Sequence, residues 1–342
     1  MAVVGAGYWG PNLVRNIQAE ADLRLRWLCD LDEGRAKSVL GPYSTVRTTS
    51  TLQDVLADDE VEAVAVATPA RSHLDVVRQS LEAGKHVLVE KPLASSYDEG
   101  LQLVELADRL GLRLMCDHTY CYTPAVQKIG ELVTAGFLGD VQYVDSVRIN
   151  LGLVQPDVDV FWDLAPHDLS ILDHLLPDGV TPYAVAAQGA DPIGAGRACV
   201  GYLTLHLPGD AIAHAHVNWL SPTKIRTTII GGSKRTLVWD DLNPSQRISV
   251  YDRGVDLSDL SVDQREQKRE ALVSYRSGDM VAPALPEGEA LRAVMRELAA
   301  AIREGRPPLT DGRSGLRVLD VLDAASRSLK RRGVMVPLRS SR

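Results

Sequence analysis

Aromatic residues are scarce in this chain, 5% of 342 residues with only two phenylalanines, so aliphatic side chains must fill most of any core. No stretch approaches the ~18 consecutive apolar residues that a membrane span needs. Positive charge is also in deficit: 37 Lys and Arg against 45 Asp and Glu give a formal net charge of −8, a poor match for nucleic acid or an anionic membrane surface. Cysteine is sparse too. Cys29, Cys116, Cys121 and Cys199 form no C-x-x-C pair, which fits small inert thiols in a reducing compartment. The chain opens almost inside its first apolar run, with no room for a secretory leader before it. Together these features set the expectation of a cytoplasmic protein. What remains is an ordinary globular composition, 45% apolar and 24% charged, on a chain long enough for two domains.

The most informative segment is Gly5-Ala6-Gly7-Tyr8-Trp9-Gly10, directly after the apolar run Ala2-Val3-Val4 and before a helical pattern. Strand, G-x-G-x-x-G turn and helix form the first unit of a dinucleotide-binding fold. The glycines let the backbone approach a pyrophosphate, and the helix N-terminus offers it unpaired N–H groups. Asp30 ends the next apolar run, Leu23–Cys29, twenty residues past Gly10. A carboxylate there suits the adenosine ribose hydroxyls. These features point to a nicotinamide or flavin cofactor.

Through residue 117 strands alternate with helices. Strand-like runs are Ala2–Val4, Leu23–Cys29, Ala63–Ala67, His86–Glu90 and Leu112–Cys116, with helical patterns near 12–20, 33–40, 71–83 and 96–110. Continuous apolar strands between amphipathic helices predict a parallel sheet covered on both faces. After a helix near 124–135 the pattern changes to consecutive strands at 141–149, 184–188, 199–206, 211–219, 225–230, 236–239 and 248–251. Residues 254–286 read as a long polar loop, followed by helices near 287–304 and 313–331. The expected fold is α/β: an N-terminal Rossmann parallel sheet over 1–118, plus a C-terminal α+β domain over 119–342 with a large, mostly antiparallel open sheet.

Glu90-Lys91-Pro92-Leu93 follows the apolar strand 86–89, at the carboxyl edge where doubly wound sheets hold ligands. Lys91 there can donate to a substrate hydroxyl; as a surface residue it would simply pair with Glu90. The helical pattern after Asp163-Leu164-Ala165-Pro166-His167 puts Asp163, His167, Ser170 and His174 on one face. Alternatively, Asp163 is only an N-cap with Pro166 in the first turn.

Gly5–Gly10, Ala67-Thr68-Pro69 with His73, Glu90-Lys91-Pro92-Leu93 and the D-x-x-x-H run from Asp163 to His167 together resemble the Gfo/Idh/MocA oxidoreductases, whose namesakes include glucose–fructose oxidoreductase and inositol dehydrogenase. Asp117-His118 resembles that family's Gly-His pair, with Asp where Gly is usual. The glycine-rich lead-in to the D-x-x-x-H run is replaced by Val158-Asp159-Val160-Phe161-Trp162, and such variants look similar to members acting at C3 of nucleotide-linked or aminoglycoside sugars. The resemblance implies catalysis by Lys91, Asp163 and His167. It places Gly5, Gly7, Tyr8, Trp9, Gly10, Asp30, Thr68, Pro69, His73, Glu90 and Lys91 at the cofactor. Lys91, His118, Asn150, Asp163, His167 and Lys224 are placed at the substrate. It further implies a homodimer or homotetramer formed through the C-terminal sheet.

The resulting expectation is a dehydrogenase or ketoreductase moving hydride between a nicotinamide and a sugar ring hydroxyl. His167 serves as acid/base and Lys91 holds the reacting oxygen, with either able to carry the proton. The alternatives are an inositol or polyol dehydrogenase and a non-catalytic NAD(H)-binding regulator. Asp30 would repel a 2′-phosphate and favours NAD; the nearby Arg35 and Lys37 leave NADP open. Lys224 and Arg226 alternate on one strand and suit an anionic group. His214, His216 and Asn218 share a strand face but lack a third ligand, so no metal site is expected.

Overall fold

The protein is described here by a computed structural model covering residues 1–257 and 273–339. Six short parallel strands form the first sheet in the order β3-β2-β1-β4-β5-β6: β1 (Ala2–Val4), β2 (Trp27–Cys29), β3 (Arg47–Thr49), β4 (Ala63–Val66), β5 (His86–Glu90) and β6 (Leu114–Asp117). The order reverses between β1 and β4, which opens a crevice at their carboxyl ends. Side-chain alternation divides the sheet cleanly. Val3, Leu28, Ala65, Leu88 and Met115 face one cluster; Val4, Cys29, Val66, Val89 and Cys116 face the other.

The first cluster is roofed by α1 (Gly10–Ala19), through Leu13, Val14 and Ile17, and by the late helix α8 (Ala290–Glu304), through Leu291, Val294, Met295 and Leu298. The second is covered by α4 (His73–Glu82) and α5 (Tyr97–Leu110). Local signals fix these helices. Ser96 caps α5 by accepting the Glu99 N–H, and Gly111 closes it in the left-handed conformation at φ 67°. The shorter α2 (Glu33–Leu40) and α3 (Leu52–Leu56) lie near the β2–β3 edge.

The second sheet has eight strands in the order β14-β13-β12-β11-β7-β10-β9-β8. They are β7 (Val141–Leu151), β8 (Ala184–Ala190), β9 (Val200–His206), β10 (Ile212–Asn218), β11 (Leu220–Gly232), β12 (Thr236–Asp240), β13 (Ile248–Leu257) and β14 (Val273–Val281). All pairs are antiparallel except β7 with β10. One face packs on α7 (Val160–Leu175) and α9 (Gly312–Lys330), with α6 (Pro124–Thr134) against α7. The other face is open and carries exposed Tyr143, Tyr202, Ile212 and Met280. Helix α9 also touches α5 and β6, so it joins the two sheets through one continuous core.

The architecture follows the expected layout, with several local corrections. Residues 23–26 are not strand; only Trp27–Cys29 pairs with β1. The sequence reading missed β3 and α3, each too short to show periodicity. The expected 254–286 loop is partly strand, since β13 runs to Leu257 and pairs with β14; residues 258–272 lie outside the described residues. No described helix is long and apolar enough to cross a membrane.

Candidate active site

The cofactor side of the crevice is shaped by missing side chains. Gly5 adopts φ +104°, and a Cβ there would stand 2.6 Å from the Ala67 carbonyl oxygen. A Cβ on Gly10 would stand 2.1 Å from the Gly5 oxygen, so neither position accepts another residue without moving backbone. A Cβ on Gly7 meets nothing within 4 Å: it faces open space in front of α1, where a pyrophosphate fits. Asp30 lies behind this turn. Its Oδ2 accepts the Ala6 N–H at 2.7 Å and its Oδ1 the Asp32 N–H at 2.9 Å. Asp30 therefore fixes the glycine turn, a role the sequence reading missed, and its carboxylate retains lone pairs for ribose hydroxyls. Arg35 lies 3.8 Å from both Asp30 and Asp32, whereas Lys37 is paired with Glu33 at 2.9 Å. These residues fit a dinucleotide.

Other expected cofactor residues separate into two groups. Tyr8 is 93% exposed beside the Trp9 ring, and the Trp9 indole points across the crevice to Asp117, 3.5 Å away. Pro69 is exposed after β4, and the neighbouring Thr68 hydroxyl is buried with no partner among the described residues. His73 instead turns inward. Its two ring nitrogens lie 2.9 Å from the Pro92 carbonyl and 2.8 Å from that of Thr68, tying the loops after β4 and β5 together. The expected cofactor contact of His73 is corrected to a supporting role. Glu90 also points away from open space, toward Asp117.

On the reacting side, β5 and α7 bring distant residues together. The Lys91 ammonium donates to Asp163 twice, to the carbonyl oxygen at 3.0 Å and to Oδ1 at 3.2 Å. The Trp219 indole N–H, buried at the β10–β11 junction, donates to Asp163 Oδ2 at 3.0 Å. His167 lies one turn further along α7. Its ring nitrogens make no hydrogen bond among the described residues, and the Tyr120 ring meets its edge at a centroid distance of 5.1 Å. Burial, then the charges of Lys91, Arg148 and Arg226, push its imidazole well below the ordinary value. At neutral pH it is an uncharged proton acceptor.

Beneath Tyr120, Arg148 stacks on the ring at 4.4 Å and makes a two-pronged ion pair with Asp168, 2.9 and 3.0 Å. Ser146 adds a third bond to the same carboxylate. Such a buried pair is costly to break on one side, so it holds the floor of the site rigidly. Tyr120, Arg148, Asp168 and Trp219 were not foreseen; none belongs to a motif, and they come from separate elements, the turn after β6, strand β7, helix α7 and the β10–β11 junction.

Several expectations change here. Asp163 is not the N-cap of α7: Asp159 is, accepting the Phe161 and Trp162 N–H groups, so Pro166 lies inside the helix. The expected polar stripe divides, since His174 packs against Gly130 of α6 and Ser170 donates to the His167 carbonyl. His118 is 1% exposed, both its ring nitrogens lack a partner among the described residues, and burial lowers it to about 4. Asn150 borders the site, packed near Trp219 across Gly152. Lys224 sits exposed in the irregular start of β11, and Arg226, paired with Asp241 at 3.4 Å, is the cation that reaches the His167 side. His214 and His216 stack on Tyr202 at 5.9 and 4.5 Å on the open sheet face. Among the described residues no group of three metal-ligating side chains converges.

Two family models match this chain: "Oxidoreductase family, NAD-binding Rossmann fold" over residues 1–118 and "Oxidoreductase family, C-terminal alpha/beta domain" over 131–338. The chain belongs to the Gfo/Idh/MocA oxidoreductase family. It is similar to UDP-N-acetylglucosamine 3-dehydrogenase of Acidithiobacillus ferrooxidans, 28% identical over 76% of each chain. The solved structure of that enzyme superposes with a TM-score of 0.80 and 26% identity over 97% of both chains. GenD2 from gentamicin A biosynthesis, solved with NAD, gives 0.79 and 26% over 99% of this chain and 95% of that one. Some curated relatives are matched only in part, the chain spanning about half or less of their length. An uncharacterised oxidoreductase of Streptococcus pneumoniae is 31% identical over 46% of this chain and 42% of its own length.

Proposed function

We propose that this family member is an NAD-dependent dehydrogenase that oxidises a secondary hydroxyl of a sugar ring, with C3 of a nucleotide-linked or amino sugar as the favoured position. The observation that carries this reading is the convergence of Lys91, Asp163 and His167 beside a dinucleotide crevice. When bound, the nicotinamide supplies the hydride acceptor. The protein must then remove the hydroxyl proton and stabilise charge on the oxygen as the carbonyl forms. His167, uncharged and with free ring nitrogens, takes the proton. Lys91 donates to the same oxygen and opposes its developing negative charge. Asp163, gripped by Trp219, holds the ammonium in place, so the orientation cost is met before substrate arrives.

NAD is favoured over NADP because Asp30 and Asp32 stand at the end of β2 and Lys37 is already engaged by Glu33. The C3 assignment draws on two relatives, a UDP-N-acetylglucosamine 3-dehydrogenase and GenD2 from gentamicin A biosynthesis. A second reading, an inositol dehydrogenase, draws on an inositol 2-dehydrogenase from Rhizobium meliloti that is 24% identical over 96% of both chains. Following NADH formation with UDP-sugars, amino sugars and myo-inositol separates the two. Binding of NAD without turnover on any of them would leave a non-catalytic NAD(H)-binding protein.

The open sheet face, with its row of exposed Tyr143, Tyr202, Ile212 and Met280, supports self-association between two copies. A single monomeric species in sedimentation would remove that part.

A further inference from the structure

Two arginines stand opposite each other on the reacting side, and only one is fully engaged. β7 and β11 pair Arg148 with Arg226 in register, and alternation puts both on the helix face of the second sheet, with Thr227 on the open face. Both guanidinium groups lie over the Tyr120 ring, Arg148 at 4.4 Å and Arg226 at 5.9 Å, and the same ring meets His167 at 5.1 Å. A guanidinium presents five N–H donors in a rigid fork. Arg148 directs two of its groups, Nε and Nη2, at Asp168, and its side chain is 4% exposed. Arg226 makes one contact, Nη1 to Asp241 Oδ2 at 3.4 Å, and its side chain is 31% exposed. Its other donors make no hydrogen bond among the described residues.

The carboxylates around Arg226 offer little to a cationic substrate. Asp163 has Oδ1 on Lys91 and Oδ2 on Trp219; Asp168 is buried against Arg148 and Ser146; Asp241 faces Arg226. An ammonium substituent would meet Lys91 and Arg226 instead. An oxyanion meets a half-open planar fork set against an aromatic ring, a geometry that takes a carboxylate or a phosphate two-pronged. Proton transfer points the same way. His167 must become an imidazolium there, a change that burial, and then the charges of Lys91, Arg148 and Arg226, resist. A negative group seated on Arg226 offsets part of that resistance.

We propose that Arg226 receives an anionic group of the substrate: the sugar carries a carboxylate or phosphate that lies on the Arg226 guanidinium while its reacting hydroxyl meets Lys91 and His167. The inference rests on the sugar-oxidising reading above and narrows it, selecting acidic or phosphorylated sugars over amino sugars. Asp241 holds the fork in place through one long, partly exposed contact, weak enough to leave the other donors to the ligand.

Dissociation constants of sugars on the NADH-saturated protein, measured by calorimetry, test this without turnover. The probes are matched: UDP-glucuronate against UDP-glucose isolates a carboxylate, glucose 1-phosphate against glucose isolates a phosphate, and glucosamine supplies a cation. The wild type should bind the anionic member of at least one pair about tenfold more tightly than its partner, and glucosamine no better than glucose. Arg226→Gln should abolish that difference and leave glucose unchanged. A loss confined to UDP-glucuronate seats the carboxylate on Arg226; equal losses on both UDP-sugars seat the phosphate there. A wild type that favours neither anionic probe or prefers glucosamine overturns the proposal, as does an Arg226→Gln variant with unaltered affinities. If that variant does not fold, Arg226→Lys decides: it keeps the charge without the fork, so the preference should shrink about threefold, and an intact preference overturns the proposal. Tight binding of an anionic sugar with no NADH formed from NAD would remove the dehydrogenase reading and leave the anion site standing.

Discussion

The two sides of the crevice are built from different materials. On the cofactor side the backbone does the work: Gly5, Gly7 and Gly10 clear space, and Asp30 pins the turn through its N–H groups. On the reacting side the work falls to side chains from separate elements: Lys91 from the end of β5, Asp163 and His167 from α7, and Trp219 from the β10–β11 junction. A backbone site is defined by contiguous residues and tolerates no added atoms. A side-chain site depends on long-range packing and tolerates conservative change in shape but not in charge.

The sharpest test of that division is Lys91→Ala. It should lower kcat about a thousandfold while the NAD dissociation constant stays within about twofold, because the lost interaction belongs to the transition state alone. Equal losses in rate and cofactor affinity would merge the two sides. The buried wall of the reacting side carries a pH signature of nearly similar size. His118 falls to about 4 in the fold, below the unfolded value near 6.5. The unfolded chain therefore takes up the proton first on acidification. The stability this group contributes is whole above pH ~6.5 and drains away down to pH ~4, by about 3 kcal/mol in all. His118→Phe gives up no hydrogen bond and should flatten that part of the loss, measured as urea midpoints at neutral and mildly acidic pH; an unchanged acid slope would show that His118 is not the group responsible.

On the cofactor side, alanine at two glycines should give opposite results. Gly10→Ala forces a methyl against the Gly5 carbonyl and should cost about 2 kcal/mol of stability together with nucleotide binding. Gly7→Ala points into open space, so the melting temperature should hold while nucleotide affinity falls. If both variants melt alike, the space at Gly7 is not what the backbone geometry makes it. The mildest change is Trp219→Phe, which keeps the buried ring but frees Asp163 Oδ2. Turnover should drop about tenfold with KM and melting temperature little changed, and a matching fall in stability would recast Trp219 as packing only.

The same division explains what could be read in advance. The glycine turn, the E-K-P run and the D-x-x-x-H run lie in continuous sequence, so the parallel sheet, its crevice and the trio Lys91, Asp163 and His167 were legible. Strand alternation likewise exposed the second sheet. Tyr120, Arg148, Asp168 and Trp219 were not, because their roles arise from contacts between the turn after β6, strand β7, helix α7 and the β10–β11 junction, which no local pattern encodes. His73 and His118 show a related limit: both stand in motif positions, but only the packing around them decides that they are buried. Lys224 shows the same limit on a smaller scale, since the irregularity between Leu220 and Ile225 takes it out of the alternation that keeps Arg226 at the site.

The central claim is that one alcohol oxygen meets both Lys91 and His167 across from the nicotinamide. A crystal structure of the protein with NAD and a turned-over sugar measures it directly. The account predicts the reacting oxygen within hydrogen-bonding distance of the Lys91 ammonium and of a His167 ring nitrogen. A sugar seated so that its oxygen reaches neither, with Lys91 still held only by Asp163, would contradict it.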